Sequence, residues 1–401
     1  MGLAEKLGRR FKLWKNQISL RNLTNNRCGE NDIVLLLKLD KIGDFIIWLD
    51  SAKEYRNVYP NKTINLLCSK QCAVIAEVTG YFDNILTIDI DRFEIDKEYQ
   101  LSEIERFSQC NVGTLIQTAY SRTQHMDILA ACIPAYRKVG FVADETSLNV
   151  SRRLLTSKNK AKLDSIYDEL ILTGSELMME LERNKKFVGT LTEYKYHSAV
   201  PKLPHIETDM VPAFQYFMIF PGASSKKKMW QTEKFAKLIN HVCGRTGWVA
   251  LVCGAPKESY LYDEIVLYVD AKERILNYCG KTTLIDLIEI VRNASFVISN
   301  DSSGIHYAAA TETPAVCLLG EFDYGRFLPY KSDAGNSTVS VCSAGMKCRG
   351  CSRLHMTLPC ILNMLKHGRS LCIEKIAVED VIKETDRIID SNYICKKESR
   401  I

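Results

Sequence analysis

Residues 217–242 read FMIFPGASSKKKMWQTEKFAKLINHV, and this stretch decides the fold. The apolar run at 217–220 predicts a buried strand. A loop of small and basic residues follows, and then residues 232–242 place Phe235, Leu238, Ile239 and Val242 on one face of a helix. A buried strand that leads through a loop into a helix is the repeating unit of an open parallel sheet.

The same alternation extends through both halves of the chain. In the second half, further strands are predicted at 249–253, 275–278, 296–299 and 315–319, and helices at 260–269, 284–291 and 305–310. In the first half, strands are predicted at 33–39, 63–68, 85–90, 112–118 and 138–141, and helices at 45–59, 71–78 and 125–132. The sequence therefore predicts an α/β protein of two Rossmann-like, doubly wound domains in series, with a cleft between them.

Proline spacing and length suggest where the domains divide. Pro201, Pro204 and Pro212 fall close together after a weakly patterned stretch, which is typical of a linker. We predict a basic arm at 1–30, a first domain at 31–205, a second domain at 206–375, and a terminal helix with a tail at 376–401. The sequence does not indicate what the terminal helix packs against.

Composition and charge exclude several classes of protein. The chain is 46% hydrophobic and 25% charged, without an apolar run of the roughly 18 residues that a membrane span needs and without a secretory signal, so a cytoplasmic location is expected. Residues 1–27 carry a net charge of +6 and the remainder −1. A nucleic-acid-binding surface would spread its basic residues over the folded body, so no nucleic-acid partner is expected.

The basic arm has one apolar stripe. Leu3, Leu7, Phe11, Trp14 and Ile18 recur at helical spacing and basic residues flank them. Such a helix suits an anionic membrane surface, which would make the protein peripheral to the inner face of the cytoplasmic membrane. The alternative is a helix docked on its own domain, or a frayed terminus.

Three loops at the ends of predicted strands carry groups suited to chemistry. In the first, at 221–230, small residues let the backbone approach a ligand, and Ser224, Ser225 and Lys228 add hydrogen-bond donors, as a diphosphate requires. The alternative is a solvated loop.

The second loop, at 300–306, also leaves a strand and opens a helix. Asp301 is suited to accept hydrogen bonds from sugar hydroxyls, while Ser302 and the amides behind it are suited to phosphate. The alternative is a helix cap, for which both residue types are favoured.

The third loop, at 38–44, follows the first strand. Asp44 there is a candidate general base for an incoming hydroxyl. The alternative is an ordinary strand–helix turn, since Gly-Asp is common in such turns.

Together these loops resemble glycosyltransferase family 9, the ADP-heptose:lipopolysaccharide heptosyltransferases. Residues 38–44 (KLDKIGD) are similar to the family pattern R-L-D-x-I-G-D, and residues 220–230 (FPGASSKKKMW) to H-P-G-A-S-x-x-K-x-W. Residues 280–284 (GKTTL) are similar to G-K-T-S-L, and residues 300–302 (NDS) are followed by the expected histidine, His306. The resemblance covers roughly residues 32–390.

The resemblance implies a GT-B fold and an inverting, metal-independent transfer that requires no cofactor for catalysis. It implies Asp44 as catalytic base, a ribose contact for Glu258, a sugar contact for Asp301, and diphosphate contacts for Lys228 and the serines, with His306 part of the donor motif. The sequence departs from the family pattern in three places. Lys38 replaces an arginine, Phe220 replaces a histidine, and the glycine after Asp301 is shifted by one place, to Gly304.

We therefore predict an inverting glycosyltransferase that moves a sugar, a heptose by resemblance, from a nucleotide-diphospho-sugar donor to a lipid-linked or surface-glycan acceptor such as lipopolysaccharide. The residues that bind the acceptor are not predicted. Two alternatives stay open: a nucleotide-sugar epimerase or hydrolase on the same fold, and an inactive nucleotide-binding scaffold.

The chain has fifteen cysteines, and with no secretory signal they are expected to be reduced. Cys348 and Cys351 have the spacing of a zinc knuckle, and Cys360 and Cys372 follow, so a structural zinc site is one prediction. Unpaired reduced thiols, or a redox-labile pair, are the alternative.

Overall fold

The buried apolar runs of the sequence form two parallel sheets. A computed structural model of the chain describes residues 23–142, 155–174, 177–192, 195–330, 338–351 and 356–398. The predicted basic arm lies largely outside these residues. Among them, no helix is both long enough and apolar enough to cross a membrane.

The first sheet has the strand order β3-β2-β1-β4-β5-β6, and every neighbouring pair is parallel. Its strands are Ile33–Lys38 (β1), Thr63–Ser69 (β2), Asn84–Ile88 (β3), Val112–Gln117 (β4), Ala135–Phe141 (β5) and Glu169–Ile171 (β6). Its helices are Ile42–Ala52 (α1), Tyr55–Val58 (α2), Lys70–Thr79 (α3), Ile90–Ile95 (α4), Lys97–Ser108 (α5), Gln124–Cys132 (α6), Ser157–Asp164 (α7) and Glu180–Thr192 (α8).

The second sheet has the order β12-β11-β10-β7-β8-β9 and is also parallel throughout. Its strands are Tyr216–Phe220 (β7), Val249–Val252 (β8), Ile275–Asn277 (β9), Val297–Asn300 (β10), Ala315–Leu318 (β11) and Val339–Cys342 (β12). Its helices are Thr232–Thr246 (α9), Ser259–Val266 (α10), Leu284–Arg292 (α11), Ser303–Ala310 (α12), Leu358–His367 (α13), Leu371–Glu374 (α14) and Val378–Glu398 (α15).

Both sheets reverse direction at the same relative position. In the first, the chain moves outward from β1 to β3 and then crosses to β4 on the other side of β1; in the second, it moves from β7 to β9 and crosses to β10 on the other side of β7. Ligands of doubly wound sheets bind beyond the carboxyl ends of the strands at such a switch point. The predicted Rossmann-like fold class is confirmed. The strand order identifies the loops after β1 and β7 as candidate ligand-binding loops.

Contacts divide the chain into two units. The first comprises the described residues of Met1–Phe45, Ser51–Glu176 and Arg183–Tyr196, and the second those of Ile46–Asp50, Leu177–Glu182 and His197–Ile401. By this division the chain enters the second unit for the last time after Tyr196, and α15 belongs to that unit.

The terminal helix α15 is held by both packing and charge. Val381 and Ile389 are fully buried in the core of the second unit. Arg245 of α9 donates hydrogen bonds to Asp386 and Asp390 of α15. The amphipathic pattern of the sequence predicts the helix, but only the tertiary structure identifies α9 as a partner.

The close approach of the chain to β4 requires a glycine. A Cβ on Gly113 would overlap the backbone carbonyl oxygen of Asn31, which cannot move as a flexible side chain would. We expect Gly113→Ala to lower the free energy of unfolding of the first unit by about 1–3 kcal/mol. A Cβ on Gly29 would meet no atom within 4 Å, so Gly29→Ala is the matched control and should change this free energy by less than about 0.5 kcal/mol. Urea unfolding of both variants checks this, and equal midpoints would contradict it.

Candidate functional site

Four loops of the second unit meet at the carboxyl ends of neighbouring strands. They follow β7, β8, β10 and β11, and they carry the predicted residues Ser224, Ser225, Lys228, Glu258, Asp301, Ser302 and His306. The loop after β11 adds Asp323, which the sequence analysis missed. The same rule of strand ends would have found it, because Glu321, Phe322 and Asp323 lie within five residues of the end of β11.

Lys228 joins three of these loops. Its ammonium nitrogen Nζ lies 2.6 Å from Oδ2 of Asp301 and 2.6 Å from Oδ2 of Asp323. The Lys228 side chain is 14% exposed, and those of Asp301 and Asp323 are 4% and 8% exposed. An ammonium group has three N–H donors, so two bonds to carboxylates leave one for a ligand.

The two carboxylates keep Lys228 protonated, and Lys228 keeps Asp301 ionised. Burial opposes the charged form of Lys228, but Asp301 and Asp323 outweigh it and raise the pKa of the amine. Burial also opposes the charged form of Asp301, and the nearby Lys228 outweighs it and lowers the pKa of the carboxyl. At neutral pH the lysine is therefore protonated and Asp301 is ionised. Counted by formal charge, one ammonium and two carboxylate groups give the triad a net charge of −1.

Asn300 fixes the two ends of the loop that carries Lys228. Its side-chain nitrogen Nδ2 donates to the carbonyl oxygen of Pro221 at 2.6 Å, and its Oδ1 accepts from the amide of Trp230 at 3.1 Å. Trp230 is fully buried, and its indole Nε1 donates to the carbonyl oxygen of Ile376 at 3.1 Å. The loop is thus tied to β10 and to the core, and is not a freely solvated connection.

Ser225 caps the 3-10 turn at Lys226–Lys228, where its hydroxyl accepts from the amide of Lys227 at 3.4 Å. Ser224 is exposed. Ser302 is the N-cap of α12 but makes no side-chain cap bond, and its hydroxyl lies 3.0 Å from that of Ser299. Since Asp301 binds Lys228, the capping alternative does not account for its side chain.

Glu258 lies against the loops that follow β7 and β8. Its Oε2 accepts from the amide of Ala255 at 2.7 Å. A Cβ on Gly222 or on Gly254 would overlap the Glu258 carboxylate, so both glycines allow its close approach. The structure therefore brings the predicted ribose contact next to Gly222 and Gly254.

His306 is buried on α12, and its Nδ1 lies 2.9 Å from the hydroxyl of Tyr330. Burial lowers the pKa of His306 to about 4, although Asp301 opposes the shift. At neutral pH the imidazole is therefore uncharged, so it cannot add positive charge to an anion site.

Two departures from the family pattern are in contact. A Cβ on Gly304 would lie 2.5 Å from Cγ of Phe220, so the ring occupies the space that any other residue would need. Phe220 ends β7 and Gly304 lies in the first turn of α12. The shifted glycine is therefore the residue that accommodates a phenylalanine where the family has a histidine.

The third predicted loop belongs to the first unit. Asp44 lies half-buried in the first turn of α1, immediately after β1. Lys38, at the end of β1, is buried and lies 2.7 Å from Oδ2 of Asp40. Burial raises the pKa of the Cys72 thiol to about 12, and the charges of Asp40 and Asp44 add to that rise while Lys38 opposes it. Lys38 and Asp40 therefore form a buried ion pair at the carboxyl end of β1, next to the switch point of the first sheet.

The four cysteines of the predicted zinc site gather around one small cavity. Cys348, Cys351, Cys360 and Cys372 line it together with Phe322, Met346, Met356, Thr357 and Ser370. Burial raises the pKa of Cys372 to about 11, with Cys360 and Cys348 contributing. In the part of the chain that the structure describes, no three His, Cys, Asp or Glu side chains are grouped so that they could hold a metal ion. The zinc site stays a prediction.

Glu321 connects this cysteine segment to the triad. Its fully buried carboxylate accepts from the amide of Met346 at 3.1 Å and from Nε of Arg349 at 2.9 Å. The next residue, Phe322, lines the cysteine cavity and also faces Lys228, whose Nζ is 5.7 Å from the ring centroid. Phe322 thus lies between the cysteine cavity and Lys228.

Comparison with known proteins places this arrangement in context. The family model for glycosyltransferase family 9 (heptosyltransferase) matches residues 127–356, more than half of the chain. Lipopolysaccharide heptosyltransferase 3 of Escherichia coli (strain K12) is 33% identical over 116 residues, which cover 29% of this chain and 33% of that protein. The chain spans about a third of the length of the first curated relatives it matches.

Solved structures match over almost the whole chain. A glycosyl transferase family 9 protein from Veillonella parvula has a TM-score of 0.68 at 15% identity, covering 92% of this chain and all of that one. The ADP-heptose lps heptosyltransferase II of E. coli has a TM-score of 0.60 at 15% identity, covering 90% and 99%. These matches confirm the predicted fold class.

The contact of Gly304 with Phe220 gives a stability test. Gly304→Ala should cost about 1–3 kcal/mol of the free energy of unfolding, because the ring cannot move out of a buried position without strain. In a Phe220→Val background the same change should cost less than half as much, since the ring is gone. A double-mutant cycle by urea unfolding measures the coupling. Additive costs would show that the two residues are independent.

The net charge of the triad gives a binding test. Asp323→Asn keeps the size of the side chain and removes one negative charge close to Lys228. We expect ADP to bind more tightly by about 1–2 kcal/mol, roughly five- to thirtyfold, because the anion no longer meets a cluster of net charge −1. Isothermal titration calorimetry measures it, with the exposed Asp270→Asn as control. Weaker binding would instead mean that Asp323 is needed to position Lys228.

Proposed function

Because this chain belongs to glycosyltransferase family 9, the heptosyltransferase family, we propose that it transfers a heptose from ADP-heptose to a hydroxyl of a lipopolysaccharide-type acceptor. The proposal rests on the buried triad of Lys228, Asp301 and Asp323, which lies at the switch point of a doubly wound parallel sheet. The donor is proposed from the E. coli ADP-heptose heptosyltransferase that shares the fold, and the acceptor from the curated E. coli relative.

In the proposed reaction, an acceptor hydroxyl attacks the anomeric carbon as the bond from that carbon to the diphosphate breaks. Asp44 accepts the proton of the hydroxyl. A single displacement inverts the configuration at the anomeric carbon. The leaving ADP takes the electron pair of the broken bond, so negative charge develops on the diphosphate.

The second unit offers groups to stabilise that charge. The remaining N–H of Lys228 is proposed to donate a hydrogen bond to a phosphate oxygen, and the amides at the start of α12 add partial positive charge. This scheme assigns charge neutralisation to the protein, and it requires no metal. Glu258 is proposed to bind the ribose and Asp301 the heptose hydroxyls, with Ser224, Ser225 and Ser302 at the phosphates.

Asp44 is preferred to Asp40 as the base. Asp40 is already committed to the buried Lys38 at 2.7 Å, so its charge neutralises that cation. Protonating it would leave a buried ammonium without its countercharge, which is costly to stability. Asp44, in the first turn of α1, is half-buried, so the residue is in part accessible to an incoming hydroxyl. The family model matches residues 127–356 and does not include Asp44. The role of Asp44 is therefore proposed from its position in the loop and helix that follow β1.

We propose a cytoplasmic enzyme that contacts a membrane, because its proposed acceptor is a lipid-linked glycan. A lipopolysaccharide precursor is held in a membrane by its lipid, while ADP-sugars are water-soluble, so an enzyme that joins them works at a membrane surface. The apolar stripe of residues 3–18, with its flanking basic residues, would serve there, although it lies outside the described residues.

The test is a transfer assay with the full chain, ADP-heptose and lipopolysaccharide cores truncated at successive sugars. We expect heptose on one of these cores and an equivalent amount of ADP. Asp44→Asn should lower turnover about a hundredfold to ten-thousandfold with little change in the dissociation constant of ADP, because asparagine cannot take the proton.

Asp270→Asn serves as the control for a lost surface charge. ADP release that is independent of any acceptor would overturn the transferase proposal in favour of a hydrolase or epimerase. ADP binding without turnover on any core would indicate an inactive scaffold. Near-normal turnover in Asp44→Asn would reject only the base assignment.

A further inference from the structure

Helix α13, Leu358–His367, turns its apolar side chains away from the protein. Leu358, Ile361, Leu362 and Leu365 are 67%, 36%, 56% and 79% exposed. Their spacing places all four on one face of the helix. A surface helix normally buries such a stripe in the core, so this arrangement is the reverse of the usual one.

The opposite face of α13 is anchored by its more polar residues. Nδ2 of Asn363 donates to the carbonyl oxygen of Arg369 at 3.1 Å and to Oε2 of Glu374 at 2.6 Å. Cys360 lines the cysteine cavity on the same side. The helix is therefore fixed in this orientation by specific contacts, and the outward stripe is a property of the fold.

The chain segment that contains α13 has no acidic residue between Asp333 and Glu374. Residues 334–373 contain no Asp or Glu and include five basic residues, Lys347, Arg349, Arg353, Lys366 and Arg369, so this segment alone carries a net charge of +5. One of the five, Arg349, is paired with Glu321. The exposed Lys366 lies directly after the apolar stripe.

Two more lysines lie at the end of the same helix. The Cβ position of Gly368, which ends α13, is 3.2 Å from the side chain of Lys226. The amide of Ser370 donates to the carbonyl oxygen of Lys227 at 3.1 Å. The side chain of Lys226 and the backbone of Lys227 thus lie at the C-terminal end of α13.

We propose that α13 is a membrane-docking helix that lies on an anionic lipid surface, with its four apolar side chains among the acyl chains and its basic neighbours at the headgroups. A helix that lies in the plane of a membrane interface has an exposed apolar face and basic residues beside it, and α13 has both. Basic residues close to anionic lipid add electrostatic attraction to the insertion of the apolar side chains.

A second copy of the chain is the less favoured occupant. In a two-fold symmetric contact the same patch faces itself, so the basic residues of one copy would approach those of the other. An anionic lipid surface is complementary to that charge in every orientation. The inference concerns α13 and does not depend on which sugar is transferred.

The test is sedimentation of the full chain with two kinds of vesicle, phosphatidylcholine alone and phosphatidylcholine mixed with phosphatidylglycerol. The wild-type chain should bind the mixed vesicles more tightly. Leu362→Ser/Leu365→Ser should weaken that binding at least tenfold, because two inserted side chains are lost, and Lys366→Glu should weaken it only for the anionic vesicles.

Leu267→Ser/Tyr268→Ser is the matched control, since these side chains are 69% and 53% exposed on the same unit, and it should bind as the wild type does. Unchanged ADP affinity in all variants would show that the donor site is intact, so failure of docking is separable from failure of the proposed function. Equal vesicle binding by wild type, variants and control would overturn the proposal. So would a lipid-free dimer that the double serine variant dissociates.

Discussion

The contact between Lys228 and the two carboxylates of Asp301 and Asp323 holds the candidate site together. Each residue comes from a different strand end of one sheet, after β7, β10 and β11. Burying one cation with two anions is tolerable only because each charge has a partner within hydrogen-bond distance. Removal of Lys228 would leave two buried carboxylates close together without a cation, so this residue has a structural role. In the proposed reaction it also binds the diphosphate.

Further contacts around this triad hold the neighbouring loops together. Asn300 bonds to both ends of the loop that carries Lys228. Glu258 fills the space that Gly222 and Gly254 leave empty. Phe220 and Gly304 fit each other in the same way. The departures of this chain from the family pattern are thus compensated locally, and they preserve the backbone path on which the site depends.

The first unit repeats the same solution with different residues. Its sheet has the same relative strand order, and the loop after its first strand carries a buried lysine paired with an aspartate, Lys38 with Asp40. In both units a lysine and carboxylates sit where the strand order reverses, because that is where a doubly wound sheet leaves an open crevice at its carboxyl edge. The pairing fixes the local charges before any ligand binds.

The sequence by itself determined the class of fold, since the alternation of apolar runs and helical stripes specifies buried parallel strands and crossover helices. It also located the loops with Asp44, Lys228 and Asp301, because strand ends can be recognised locally. Among the described elements it missed the strands β6 and β12 and the helices α4, α5, α7, α8, α13 and α14. Several of these are short, and the apolar side chains of α13 are directed outward. Only the tertiary structure could decide the rest. That Asp323 meets Lys228, that α15 packs on α9, and that Gly304 faces Phe220 are contacts between residues distant in the chain, and no local pattern encodes the partner of a buried charge or the neighbour of a missing Cβ.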